Sequence, residues 1–209
     1  MTTSATPESR ETSDSPDTRT KLLNTAWHLI ETHGAAAVTL ADIAAAAGVS
    51  RQTIYLQFGS RAGLLIATAR LRDDTSAVVR EMSVTAREAH SKVEFDRFIR
   101  LWFEHVTVIL PIARAIEAAA ASDPDARAAW QERMDANRRV IRKIVGRLAD
   151  AGHLAKSWTR EEATEWFWSR IHINVWSQLV AERKWSPENV VERVIDSLWH
   201  DLVDENRAP

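Results

Sequence analysis

Arg51, Gln52 and Thr53 stand together in a short polar stretch, GVSRQTIYLQFGSR, over residues 48–61. These types share one chemistry. A guanidinium can bond guanine through two hydrogen bonds, a carboxamide can do the same with adenine, and a threonine methyl can meet the methyl of thymine. Tyr55 and the hydroxyls of Thr39 and Ser50 suit phosphate oxygens. So do the cationic Arg19, Lys21 and Arg61, as groups that position a protein on a duplex without reading its sequence. A plain solvated helix face is the competing account of the same stretch, and the elements around it decide between the two.

Those elements read as helices. Leu22, Leu23, Ala26, Trp27 and Ile30 recur at helical spacing, with Asp17 or Thr18 as a cap and Gly34 as a stop. A short helix follows in TLADIAAAAG, with Thr39 as N-cap, Asp42 three residues on, and Gly48 ending it. Ser50 then caps a third helix running to about Gln57, so the turn between the two is tight. Leu40, Ile43, Ala44, Ala47, Ile54 and Phe58 supply a small core, and the alanines let the helices approach closely. Two short helices joined by a glycine turn, after a longer bracing helix, have the form of a helix-turn-helix, whose second helix presents its first residues to the major groove.

The stretch TLADIAAAAGVSRQTIYLQFGSRAGLL resembles the DNA-binding segment of the TetR family of bacterial transcriptional regulators. The alanine-rich short helix, AGVS, the Thr-Ile-Tyr run, Phe58 two residues before Ser60, and Leu64-Leu65 carry the resemblance over roughly residues 20–66. Gln57 departs from the family's frequent His or Tyr, and Gly63 from its frequent acid. The resemblance implies an all-α protein with a C-terminal helical body that binds a small effector and dimerises through its last two helices. It also implies repression of a palindromic operator that the effector relieves.

The rest of the chain reads as further helices, about nine in all. Phe95, Phe98, Ile99, Trp102, Phe103 and Val106 form a wide apolar stripe ending near Pro111. Asp123 with Pro124 opens a helix that Gly152 stops, Thr159 and Glu162 stand in capping-box register, and Ser186 with Pro187 opens the last helix. Ser60 starts a long fourth helix. These boundaries divide the chain into a disordered tail over 1–17, a helix-turn-helix domain over 18–60 and an effector-binding and dimerisation domain over 61–209. In EEATEWFWSRIHINVWSQLVAERKW the apolar residues are too many for one face of a single helix. The last helix carries the pairs Val190/Val191, Val194/Ile195, Leu198/Trp199 and Leu202/Val203, a stripe wide enough for an internal face and a second copy of the chain.

Nine tryptophans against one tyrosine give the body large apolar side chains. The resemblance places Trp102, Phe103, Trp130, Met134, Phe167, Trp168, Ile171 and Trp176 on helices around the effector cavity, with His105, Asn137, His172 and Asn174 as polar groups within it. The same stripe would serve equally as ordinary core. A closed core would favour a regulator that binds DNA constitutively, its body used only for dimerisation or a protein partner; a cavity would favour effector gating.

Composition narrows the remaining classes. The 209 residues carry a net charge of −2, unevenly spread. Residues 18–72 hold six basic groups against Glu31 and Asp42, whereas residues 1–17 hold Arg10 against four acids. A basic N-terminal module on an acidic body fits a nucleic-acid partner for that module alone. The chain has no cysteine, which excludes disulfides and thiolate chemistry and fits a reducing cytoplasm. No run approaches a membrane span, and the first residues lack the apolar core of a secretory signal. P-loop, dinucleotide, HExxH and di-iron patterns are all missing, so neither an enzyme nor a cofactor or metal is expected.

Overall fold

The computed structural model describes residues 16–88 and 91–204, and these form an all-α protein. The helices are α1 (Pro16–His33), α2 (Leu40–Ala47), α3 (Arg51–Phe58), α4 (Arg61–Thr75), α5 (Ala77–Glu88), α6 (Lys92–Ala119), α7 (Pro124–Asp150), α8 (Arg160–Arg170), α9 (Ile173–Trp176) and α10 (Pro187–Leu202). Among the described residues nine helices have eight residues or more, and α9 is a short turn that widens into a π-helical segment, Ser177–Glu182. The disordered tail expected before α1 lies, up to residue 15, outside the described residues. α1 begins at Pro16, so Asp17 and Thr18 are inside it rather than capping it.

Helix ends follow local chemistry. Thr39 and Asp42 form a reciprocal capping box at α2, Thr159 and Glu162 another at α8, and Ser50, Ser60, Asp123 and Ser186 each accept a backbone N–H at the start of their helices. Gly48 ends α2 at φ 71°, a left-handed conformation in which its N–H reaches the carbonyls of Ala44 and Ala45. The chain can therefore reverse within two residues and start α3.

α1 to α3 pack as one unit. Leu22, Ala26 and Ile30 of α1 meet Ile43, Ala44 and Ala47 of α2 and the fully buried Ile54 of α3 in one continuous core. α4 carries Leu64 and Leu65 into that core and continues to the body. The body is built around α6, whose buried face runs through Phe95, Phe98, Ile99, Phe103, Val106, Ile109 and Ile112 to Ile116.

Three features depart from the sequence expectation. α6 does not stop near Pro111 but continues to Ala119 with the proline inside it. Pro111 is exposed, so its ring faces solvent and the Thr107 carbonyl that loses its helical donor is on an exposed residue as well. The apolar run after Thr159 is not one helix. α8 ends at Arg170, and the His172 side chain accepts from the Asn174 N–H to start α9. The run therefore changes direction and buries two different faces.

The third departure is in α10. All eight members of its apolar pairs are buried inside the protomer, Val191 and Val194 the most exposed at 9%. Trp199 meets Phe95 at 5.4 Å, and Arg100 of α6 grips Glu192 through two hydrogen bonds of 2.7 and 3.0 Å. Trp158 and Trp166 donate to the backbone and carboxylate of Asp201, so α8 and the segment before it hold the end of α10. Within the protomer, then, the stripe faces neighbours of the same chain across most of its width.

Candidate functional site

The first surface lies on α3. The Ser50 hydroxyl accepts the Thr53 N–H at 3.1 Å and shares a 2.9 Å hydrogen bond with the Thr53 hydroxyl, so the helix start is rigid. Buried Ile54 and half-buried Phe58 fix the inner face. Arg51, Gln52, Tyr55 and Leu56 are exposed at positions i, i+1, i+4 and i+5, which places them on one outward stripe. Thr53 is half-buried at the edge of that stripe. Leu56 is 75% exposed, and the sequence offered only its spacing from Gln52 as a signal that it belongs to the outer face.

The cationic groups divide by what they touch. Lys21 is exposed on α1 near the Gly48 turn, and among the described residues neither it nor Arg51 has an ion-pair partner. Arg19 donates to the Gln57 carbonyl at 3.2 Å and lies 4.5 Å over the Phe58 ring, so it braces the end of α3. Arg61 is half-buried, and its Nη2 donates to the carbonyls of Ala35 and Val38 at 2.5 and 3.2 Å. This guanidinium ties the α1–α2 connection to α4. The Thr39 hydroxyl donates to Asp42 Oδ2 at 2.7 Å, which leaves it acceptor capacity only. Those hydrogen bonds from Thr39 hold the Asp42 carboxyl below its ordinary range.

The second feature is a cavity of ≈ 260 Å³ among α4, α5, α6, α7 and α9. Trp102 and His105 of α6, Trp130, Met134 and Asn137 of α7, and His172 at the head of α9 line it. The other aromatic and aliphatic residues read from the sequence as lining lie elsewhere. Phe167 is buried against Phe95 and Phe98, with centroids at 5.1 and 6.3 Å. Phe103 stacks on Trp176 at 5.0 Å, beside α10 rather than the cavity. Ile171 is fully buried and contributes only its carbonyl, which accepts from Trp102 Nε1 at 2.7 Å. Trp168 stands behind His172, edge to face at 4.9 Å. Asn174 is bound to Arg114 instead. Adjacent helical residues point about 100° apart, which is why Trp102 faces the cavity and Phe103 does not.

Two charged groups were missed. Arg133 Nη2 donates to Asp73 Oδ2 at 2.8 Å in the cavity wall, and His105 Nε2 lies 3.6 Å from Asp73 Oδ1. Arg133 could have been found from the register of Trp130, Met134 and Asn137 on α7; Asp73, on α4, carried no local signal. Burial pushes the His105 imidazole below its ordinary value, with Asp73 opposing and Arg133 reinforcing the effect. Burial likewise lowers His172, against the pull of Glu117. Both rings are neutral at pH 7. Among the described residues no cluster of His, Cys, Asp or Glu could hold a metal ion, and no helix is long and apolar enough to cross a membrane.

Residues 22–68 match the family described as bacterial regulatory proteins, tetR family. That segment, which spans α1 to α3 and the first half of α4, is similar to the DNA-binding segment of that family. Over 46 residues the chain is 52% identical to the HTH-type transcriptional regulator AlkX of Mycobacterium tuberculosis, a match that spans 22% of each chain. Beyond the TetR-family segment the likeness is one of fold. A Saccharomonospora viridis regulator solved in complex with choline superposes with TM-score 0.75 at 18% identity, covering 91% of this chain and 100% of that one. The regulator FadR of Bacillus subtilis, solved in complex with stearoyl-CoA, gives 0.68 at 17% identity, with 87% and 98% covered.

Proposed function

We propose that this chain is a sequence-specific DNA-binding transcriptional regulator, a repressor released from a palindromic operator when a small apolar effector fills the body. The observation that carries it is the pairing, in one chain, of an outward reading face on α3 with a largely apolar cavity in the helical body that opens to solvent. Arg51 and Gln52 stand at the start of α3, where a recognition helix meets base edges, and Thr53 borders them. Leu56 and Tyr55 extend the same face, the first suited to a thymine methyl and the second to a phosphate. Lys21, Ser50 and Thr39 ring the face as phosphate contacts, whereas Arg61 serves mainly as a brace.

The cavity favours effector gating over constitutive binding, and the ligands held by the S. viridis protein and by FadR support a body of this fold as a ligand site. A homodimer supplies the second reading head that a palindrome needs. The regulator works in the cytoplasm, without cofactor or catalytic activity.

Selection from a random duplex library tests the reading, followed by anisotropy on the selected site with and without apolar ligands. A palindromic consensus whose binding weakens when ligand is added is expected. Recovery of no consensus overturns the DNA reading, and ligand-independent binding across the panel overturns the gating.

A further inference from the structure

The wall of the body cavity is apolar over most of its area, and its charges cancel. Asp73 and Arg133 are the charged side chains on it, and they pair with each other at 2.8 Å. A carboxylate placed inside would lie against Asp73, and an ammonium against Arg133. A carboxylate would have to part the pair or remain uncompensated, and an ammonium would find only Asp73 Oδ1, a buried oxygen without a hydrogen bond, with the Arg133 cation held 2.8 Å from the other oxygen.

The uncharged polar groups are more telling. Trp102 Nε1 is committed to the Ile171 carbonyl, and the Ser83 hydroxyl donates to the Val79 carbonyl. His172 is different. Its Nδ1 accepts the Asn174 N–H at 3.2 Å, so the neutral ring carries its proton on Nε2 and has one donor to offer. Asn137 is half-buried in the wall, and among the described residues its carboxamide makes no hydrogen bond. His172 and Asn137 therefore offer unused N–H donors in a largely apolar wall, where His105, 3.6 Å from Asp73 Oδ1, is the other neutral polar group without a hydrogen bond among the described residues. At about 30 Å³ per water-sized group, its ≈ 260 Å³ gives room for at least about nine non-hydrogen atoms, and the cavity opens to solvent beyond them.

We infer that the cavity takes an uncharged, oxygen-bearing hydrocarbon of about that size, whose acceptor oxygen is held by His172 Nε2–H or the Asn137 amide. This inference names the ligand class of the effector site and rests on that reading of the cavity.

The test is direct binding to the full chain without DNA, followed by calorimetry, with four probes of one chain length: 2-octanone, octane, octanoate and octylammonium. 2-Octanone is expected to bind about three- to tenfold tighter than octane, the value of a hydrogen bond gained in an apolar site. Both charged probes are expected at least about tenfold weaker than the ketone. Asn137→Leu or His172→Phe should reduce the ketone's advantage over octane. His172 also caps α9, so circular dichroism accompanies that variant, while Asn137 caps nothing and keeps the test standing if His172→Phe unfolds. Equal binding of octane and ketone, tighter binding of either charged probe, or no binding of any probe overturns the inference. 2-Octanone that binds but leaves the DNA complex intact would support this ligand class and count against effector gating, so the two failures are distinguishable.

Discussion

Replacing Arg61 by alanine separates two roles that sequence alone assigns to one residue. A cation at the head of α4 beside a recognition helix suggests a phosphate anchor. In the structure its Nη2 instead donates to the Ala35 and Val38 carbonyls, and both of those residues are buried. Charge-assisted hydrogen bonds to backbone are each worth about 1.5–3 kcal/mol. Here one nitrogen serves two acceptors and the side chain is partly solvated, so about 2 kcal/mol is a fair figure for the pair. For a chain of this length that corresponds to a melting temperature lower by about 4–8 °C. Arg61→Lys should recover only part of the loss, because a single ammonium cannot reproduce the planar fork. Thermal melts of the three proteins, with operator binding followed across a salt series, make the assay. A brace predicts the lower melting temperature and an unchanged slope of log K against log salt. An unaltered melt with a slope reduced by about 0.9 would refute this reasoning, since that is the signature of one lost phosphate contact.

Arg51→Ala and Gln52→Ala are expected to relax preference at particular base pairs, at about 1–3 kcal/mol each, while Lys21→Ala weakens all sites alike and flattens the salt slope; uniform losses in all three would reject the division into readers and anchors. Stability should fall as pH drops from about 7 to 5: burial lowers the His105 pKa, so below the ordinary 6.5 the unfolded chain binds more protons than the folded one, and His105→Gln should flatten part of that fall in denaturation curves. The same pH slope in both proteins would count against the buried neutral ring. Sedimentation at micromolar concentration is expected to return a dimer, whereas Val194→Asp should unfold the protomer, because Val194 is only 9% exposed within it; a folded Val194→Asp monomer would place α10 in the interface instead.

What could be read from the chain depended on how local its cause was. The caps at Thr39, Ser50, Ser60, Asp123, Thr159 and Ser186 each need only a hydroxyl or carboxylate within a few residues of an N–H, and the structure has all six. The continuation of α6 through Pro111 was not legible, because the packing of Ile112, Ala113 and Ile116 outweighs one missing hydrogen bond, and only tertiary context supplies that packing. The turn at Ile171–His172 was hidden for a related reason: periodicity cannot distinguish one helix covered on all sides from two segments that each bury a single face. In the cavity, aromatic content pointed to the right helices but not the right faces. Trp102 and His105 share a face that Phe103 does not, and Asp73 arrives from an element more than fifty residues from its partner Arg133.

Arg72 and Asp73 are consecutive residues in the last turn of α4, about 100° apart around the helix. Arg72 lies 4.6 Å over the Trp27 ring of α1, while Asp73 holds Arg133 of α7. His105 walls both the body cavity and the cleft of ≈ 310 Å³ that Trp27 and Arg72 border. One helical turn therefore touches the α1–α3 unit on one side and the cavity on the other. A ligand in the cavity stands beside the turn that carries Arg72, and Arg72 stands over Trp27 of α1. Proximity alone does not make this a switch. A ligand can shift an equilibrium only by its difference in affinity for the two arrangements. To weaken operator binding a hundredfold, an effector must bind the DNA-free arrangement about a hundredfold more tightly, a coupling of about 2.7 kcal/mol that must hold equally in the reverse direction.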